Sequence, residues 1–394
     1  MNGILLETLD QPASRPAHRE PETEGAHTGR LARQPAMALL GLGVAAPEAT
    51  LDQQVAADFA AARCCTTERQ ANWLRRIYRQ SGVRHRASML LDGRGLSGLE
   101  QFYPAEPGEP RGPTTAVRLQ RYANTAGALG ERACRVAFAE AGIDRDTITH
   151  LVTVSCTGLM SPGLDAELIE RLSLSPDIGR LNLGFMGCHG ALNGLRAAQA
   201  LAASQPDARV LVCCVELCSL HFQYGWDMQK IVANALFADG AGAAIIGPDT
   251  GDRNGWRLAA TASRLAPDSD DAMTWQIGDH GFKMTLSRDV PKLIRGALHD
   301  WLSDWLATHE LTVADIAHWA IHPGGPKIIE TALESLSLPA EAGAASRAVL
   351  AEHGNMSSPT VLFIIERLRA EQAAPPCVAL GFGPGLALEA ALFV

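Results

Sequence analysis

The chain has 394 residues, 47% hydrophobic and 20% charged, with 34 Lys and Arg against 43 Asp and Glu for a formal charge of −9. That is globular composition with apolar content for one large core or two fused ones, and the acidic balance argues against nonspecific nucleic-acid binding while leaving room for a local basic pocket. No apolar run is long enough to span a bilayer, and the nine cysteines include no Cys-x-x-Cys pair or zinc-spaced cluster, so a cytoplasmic protein with reduced thiols, no metal and no membrane partner is expected.

Residues 1–35 are rich in Pro, Glu, Arg and Ala. They lack the apolar core of a secretory signal and read as a disordered tail. Ordered structure begins at "AMALLGLGVA" (36–45), a short apolar run with the look of a buried strand. Residues 50–80 read as helical and 87–113 as loop. "LQRYANTAGALGERACRVAFAEAGI" is a long amphipathic helix ending near Gly142.

Strands and helices then alternate. Strands fall at 149–156, 181–187, 209–217 and 241–247, with helices over "PGLDAELIERLSL" and 191–204. After residue 250 the alternation resumes: strand "WRLAATAS", helix 291–308, strand "IAHWAIHP", helix 326–336, then strands "PCVALGFG" and "LALEAALFV". Strands apolar on both faces belong in sheets covered by helices. The order reads as two similar halves, 36–250 and 251–394.

Three stretches carry chemistry. In "GFMGCHGAL" (184–192), Cys188 stands at a strand-to-helix junction. A helix N-terminus there favours the thiolate, and Gly187 and Gly190 leave room for a substrate. In "WAIHPGGPKII" (319–329), His322 ends an apolar strand. It is a better base than His189, which as the thiol's neighbour points elsewhere. In "EHGNMSSPTVLFII" (352–365), Asn355 precedes a helix. Each has a plain alternative: a buried structural thiol, a strand-end histidine, a helix N-cap. Their weight comes from occurring together, in this order.

With "ALFADGAGAAIIG" (235–247) and "GFGPGLALE" (381–389) added, residues 36–394 resemble the chalcone synthase family of type III polyketide synthases, in the thiolase superfamily. The resemblance implies an α/β fold of thiolase type, with five αβαβα layers built from two similar halves, and a homodimer. It implies decarboxylative Claisen condensation of malonyl-CoA onto an acyl-CoA starter carried on Cys188, followed by cyclisation. His322 and Asn355 would hold the malonyl carbonyl, and His322 would pair with the Cys188 thiolate. No cofactor is implied beyond CoA thioesters as substrates.

Further roles come from the same resemblance. Phe237 matches a gatekeeper phenylalanine, and Met284 stands at the second gatekeeper position. Gly383 and Pro384 shape the active-site wall. "GFGPG" joins two strands, which leaves no helix to receive a nucleotide phosphate. "WLRRIYRQSGVRHR" (73–86) aligns with a CoA-binding basic segment, with Arg75, Arg76 and Arg79 as candidates; Gly324 and Gly325 of "HPGGP" join them.

The chain departs from plant chalcone synthases in its cavity. Cys156, beside Thr157, takes a threonine position, as do Cys218 and His221. Ser161 replaces a methionine that reaches across the dimer, and Trp275 falls near a glycine that sets cavity size. Cys156 is similar to bacterial members that make tetrahydroxynaphthalene or alkylresorcinols and alkylpyrones. An alkylresorcinol- or alkylpyrone-type product is the leaning. The enzymatic alternative is a ketoacyl synthase III using an acyl carrier protein, which would need a basic docking face. A cysteine hydrolase or a non-catalytic protein of the same fold are weaker readings.

Overall fold

The computed structural model describes residues 35–91, 95–105, 111–249 and 255–394. The tail expected at 1–35 lies outside them, Pro35 excepted. The N-terminal half runs β1 (Met37–Ala45), β2 (Thr50–Asp52), α1 (Gln53–Cys64), α2 (Glu68–Gln80), β3 (His85–Ala87), α3 (Ser97–Phe102), α4 (Thr115–Ala141), β4 (His150–Ser155), α5 (Leu164–Leu172), β5 (Gly179–Gly184), α6 (Gly190–Ser204), β6 (Val210–Leu217), α7 (Met228–Leu236) and β7 (Asp239–Gly247). The C-terminal half runs β8 (Arg257–Leu265), β9 (Met273–Gly278), β10 (Gly281–Leu286), α8 (Val290–Ala307), β11 (His318–Ile321), α9 (Pro326–Ser335), α10 (Ala344–His353), α11 (Thr360–Ala370), β12 (Cys377–Gly383) and β13 (Ala387–Phe393).

Strand pairing repeats between the halves. In the first, β1 is antiparallel to β7, β7 antiparallel to β6, and β6 parallel to β4. In the second, β8 is antiparallel to β13, β13 antiparallel to β12, and β12 parallel to β11. β5 extends the first half alone. The two half-sheets meet where β1 pairs with β8, at Met37–Leu258 and Ala38–Arg257.

Alternation of side chains along each strand makes the layers. On β6, Val210, Val212 and Cys214 pack with the central helices α6 and α11, while Leu211, Cys213, Val215 and Leu217 pack with the outer helices α4 and α5. On β12, Cys377 and Ala379 face the centre, and Val378 and Leu380 face α8 and α9. Two apolar faces explain the unbroken apolar runs. The result is the five-layered αβαβα arrangement.

Small residues let the layers close. A Cβ at Gly41 of β1 would lie 2.2 Å from Ala137 O, and one at Gly43 2.2 Å from Ala133 O, so β1 admits α4 only because both positions are glycine. α4 itself begins with Thr114, whose side chain accepts from Val117 N–H, and ends at Gly142 with φ +59°.

The structure differs from the sequence reading in places. Thr50–Asp52, read as helical, form the short strand β2; the two helical runs after it are α1 and α2, the second started by a capping box of Thr67 and Gln70. The 87–113 stretch includes α3. The β9–β10 hairpin was not foreseen: it lies outside the main sheet and leaves Ile277 exposed, which blurs its alternation. Among the described residues, no helix is long and apolar enough to cross a membrane, and no metal-binding group of His, Cys, Asp or Glu occurs.

Candidate active site

Cys188 follows β5 through a turn that needs Gly187: its φ is +76°, and a Cβ there would lie 2.5 Å from Pro384 Cδ. The thiol is 5% exposed, on a short 3-10 turn that leads into α6. Hydrogen bonds from the Ser357 and Asn355 side chains reach it.

Asn355 sits in a turn of its own making. Its Oδ1 accepts from Ser357 N–H at 2.8 Å, which holds Ser357 at φ +58°. The N-cap of α11 is Pro359, so "GNMSS" is a built turn rather than a helix cap.

His322 follows β11. Its backbone N–H donates to Leu380 O of β12 at 2.8 Å. The same strand packs against the Cys188 turn: Cβ atoms at Gly381 and Gly383 would meet His189. The His322 ring is wholly buried, and neither Nδ1 nor Nε2 has a hydrogen-bond partner. Buried polar atoms without partners are costly.

Burial pushes the Cys188 thiol up to about 11, against the Ser357 and Asn355 bonds that favour its anion. Burial also pushes the His322 imidazole down to about 3, with His189 acting in the same sense. Burial disfavours the charged form of each group, and a proton passed from the thiol to the imidazole would give each a counter-charge.

Two cavities flank the partition made by Phe237 and Met284. One is lined by Cys188, Gly324, Asn355 and Phe382. The other is lined by Phe59, Cys218, His221, Phe222, Trp275 and Phe282 among others. Phe237 and Met284 border both.

A network fixes the wall between them. Trp275 Nε1–H donates to Cys156 O at 2.7 Å, and His221 Nε2–H donates to Thr157 O at 2.7 Å. His221 Nδ1 accepts from Phe282 N–H at 3.0 Å, and its ring stacks on Phe282 at 4.2 Å. Cys156 Sγ lies 3.3 Å from Ser357 Oγ.

Several expected residues play other parts. The Thr157 hydroxyl donates to Glu216 at 2.7 Å and borders neither cavity. Gly383 and Pro384 do not line the cavities either; they pack on His189 and Gly187. Arg75 is held by Asp58 at 2.8 Å and Glu68 at 3.3 Å, while Arg76 and Arg79, the other two candidates, are exposed on α2 along with Arg69. Gly325, with φ +146°, starts α9.

Two residues escaped the sequence reading. Glu216 is wholly buried on β6 and accepts from Ser358 Oγ, Thr157 Oγ1 and Cys156 N–H, with burial raising its pKa. A lone carboxylate in an apolar strand was the available signal. Arg86, counted with the basic segment, is buried and donates to Asn234 O and Phe237 O.

Known proteins share this arrangement. The family model for chalcone and stilbene synthases, N-terminal domain, matches residues 24–250, and the C-terminal domain model matches residues 257–394. A 1,3,6,8-tetrahydroxynaphthalene synthase from Streptomyces peucetius subsp. caesius is 35% identical over 322 residues, 80% of this chain and 82% of that one. An alpha-pyrone synthesis polyketide synthase-like protein of Mycobacterium tuberculosis is 31% identical over 361 residues, 90% of each chain. The crystal structure of PKS-I from the brown alga Ectocarpus siliculosus matches with a TM-score of 0.86 and 32% identity, over 92% of this chain and 99% of that one.

Proposed function

The chain belongs to the chalcone and stilbene synthase family, and from that membership we propose how its site works. It is a type III polyketide synthase, an acyltransferase that condenses thioesters. Cys188 attacks the carbonyl of an acyl-CoA starter, its proton passes to His322, and CoA leaves as the thiol, taking that proton back. S-acyl-Cys188 remains.

Malonyl-CoA then occupies the Cys188 cavity. His322 and Asn355 donate hydrogen bonds to its thioester carbonyl, where negative charge builds as the malonyl C–C bond breaks and carbon dioxide leaves. The enolate carbon attacks the acyl carbonyl, the C–S bond to Cys188 breaks, and the chain is two carbons longer on CoA. Return to Cys188 allows repetition, and cyclisation ends it. The observation that carries this reading is the buried His322 ring with both nitrogens unpartnered, on the segment joined to the β12 strand that packs against the Cys188 turn. CoA phosphates would rest against Arg76 and Arg79, on the helix that packs against α7, whose Val232, Ala233 and Leu236 line the Cys188 cavity.

The second cavity favours an apolar acyl tail. Leu51, Phe59, Leu99 and Phe222 line it. This supports an alkylpyrone- or alkylresorcinol-type product from a long starter. Trp275, which occupies part of the wall, favours the second reading, a compact tetrahydroxynaphthalene-type product. Mass spectrometry of products from short, aromatic and long acyl-CoA starters with malonyl-CoA tests both. Long starters giving alkyl-substituted rings support the first. A product from malonyl-CoA alone, with long starters inert, supports the second.

A homodimer and a reducing cytoplasm complete the proposal. β5 is an edge strand with exposed residues, and Leu159, Leu181 and Met186 are exposed close to it in sequence. Such an edge suits pairing with a second copy. All nine cysteines are free.

A further inference from the structure

His189 stands beside the nucleophile and has no task in the condensation. It is 3% exposed. Its Nδ1 lies 2.6 Å from Asn193 Oδ1, and Asn193 Nδ2 donates to Glu389 Oε1 at 3.1 Å. Ser263 Oγ donates to the same carboxylate oxygen at 2.6 Å, and Arg196 pairs with Oε2. Arg196 also donates to Thr261 Oγ1 at 3.2 Å and Ala262 O at 3.0 Å. His189 caps α6, and Asn193 and Arg196 follow it by four and three residues, so the three share one face. The helix thus carries a continuous polar line from the thiol to β13 and β8.

Chemistry fixes the direction of that line. A carboxylate only accepts, so Asn193 turns its amide N–H to Glu389 and its Oδ1 to His189. Oδ1 only accepts, so His189 carries its proton at Nδ1 and leaves the Nε2 lone pair on the other edge of the ring. That edge faces β12: a Cβ at Gly383 would lie 2.8 Å from Nε2 and 2.2 Å from Cδ2. On the same strand, Leu380 O receives the His322 backbone N–H. β12 therefore sets two imidazoles near one another, and positive charge on His189 opposes it on His322.

We propose that His189 is a positioning residue for the condensation: burial, with Arg196 offsetting the Glu389 carboxylate at the end of the line, keeps it neutral, and only then can His322 accept the Cys188 proton. In that transfer the Cys188 S–H bond breaks as an N–H bond forms on His322. Arg196 matters because it neutralises Glu389. Without that charge, the Glu389 carboxylate attracts a proton to His189, and an imidazolium at 189 disfavours one at 322. The charged and titratable groups around His189 are Cys188 and Arg196 from its own segment, Glu389 from β13 and His322 after β11. β8 meets the line with Thr261, Ala262 and Ser263, and β12 with glycines, none of them titratable. The inference rests on Cys188 and His322 being nucleophile and base.

The test is the rate of Cys188 alkylation by iodoacetamide, followed from acidic to alkaline pH on the full chain. Arg196→Gln should move the midpoint up by about one pH unit, and Arg196→Lys should keep it in place. His189→Phe keeps a ring in the slot beside Gly381 and Gly383 without a titratable nitrogen. The double variant His189→Phe, Arg196→Gln should match His189→Phe alone. A shift that persists in the double variant, or an equal loss at every pH in Arg196→Gln, overturns the inference. His322→Gln with wild-type alkylation overturns instead the assignment of the base, so the two failures are distinct.

Discussion

Phe237 and Asn355 are joined through their backbones. Asn355 N–H donates to Leu236 O at 2.9 Å, and Ala238 N–H donates to Asn355 O at 2.9 Å, a parallel bridge between the two residues. The side chain that divides the cavities is thereby fixed to the one beside the thiol. Arg86 secures the same segment from behind, donating to Asn234 O at 2.6 Å and Phe237 O at 2.9 Å.

Arg86→Met should therefore act at a distance from the chemistry. Two buried carbonyls lose a charged donor, and stability should fall by about 2–3 kcal/mol. Condensation should slow as well, because Phe237 and Asn355 lose a common anchor. Thermal unfolding and turnover check both. A variant with unchanged melting and unchanged turnover would show that the segment holds itself.

Trp275 separates bulk from bonding. Trp275→Phe keeps most of the wall but loses the bond to Cys156 O, so it should cost about 1 kcal/mol with the product pattern preserved. Trp275→Ala removes the wall and should shift products toward longer chains, read by mass spectrometry. Identical products from both variants would mean that this wall does not limit chain length.

Acid should destabilise the fold through two buried histidines. His221 and His322 are both pushed down to about 3 by burial. Below the unfolded value near 6.5 the unfolded chain binds protons that the folded chain refuses, so stability is full above that value and falls as pH drops through the window. Each contributes a loss of about 2 kcal/mol between neutrality and about pH 5. His221→Gln can still donate to Thr157 O and cannot titrate. Its denaturation midpoints should fall less between those two pH values than those of the wild type. An unchanged slope would show that His221 is not the group that resists protonation.

His322→Gln should impair malonyl-CoA decarboxylation more than starter loading. In the proposed mechanism the imidazole donates to the developing enolate, a role worth about 10²–10³-fold for one such donor, whereas thiol attack retains the Asn355 and Ser357 contacts. Single-turnover measurement of each half-reaction decides it. Equal losses would mean that the main task of His322 is to activate the thiol.

Much of this was legible in the chain. β6 and β12 announced themselves as apolar runs because both faces are buried, and α4 by its amphipathic pattern and glycine stop. Cys188, His322 and Asn355 stand out as candidates because each lies at the end of such an element, in a glycine-rich turn with its own spacing. The rest depended on contacts that sequence distance hides. Thr157 and Glu216 lie on separate loop and strand segments, so the sequence could not show the Thr157 hydroxyl turned from the cavity. Arg86 reads as one more cation in a basic run until its burial under Tyr78 and Phe237 is seen. The β9–β10 hairpin, with one exposed face, lacks the pattern that gave away the core strands.

The central claim is that Cys188 alone carries the growing chain. Peptide mapping by mass spectrometry after brief incubation with an acyl-CoA starter tests it directly. The account predicts one acyl group, on the peptide bearing Cys188, lost in Cys188→Ala along with all extension. Acylation retained in Cys188→Ala, or found instead on Cys156 or Cys218, would contradict it.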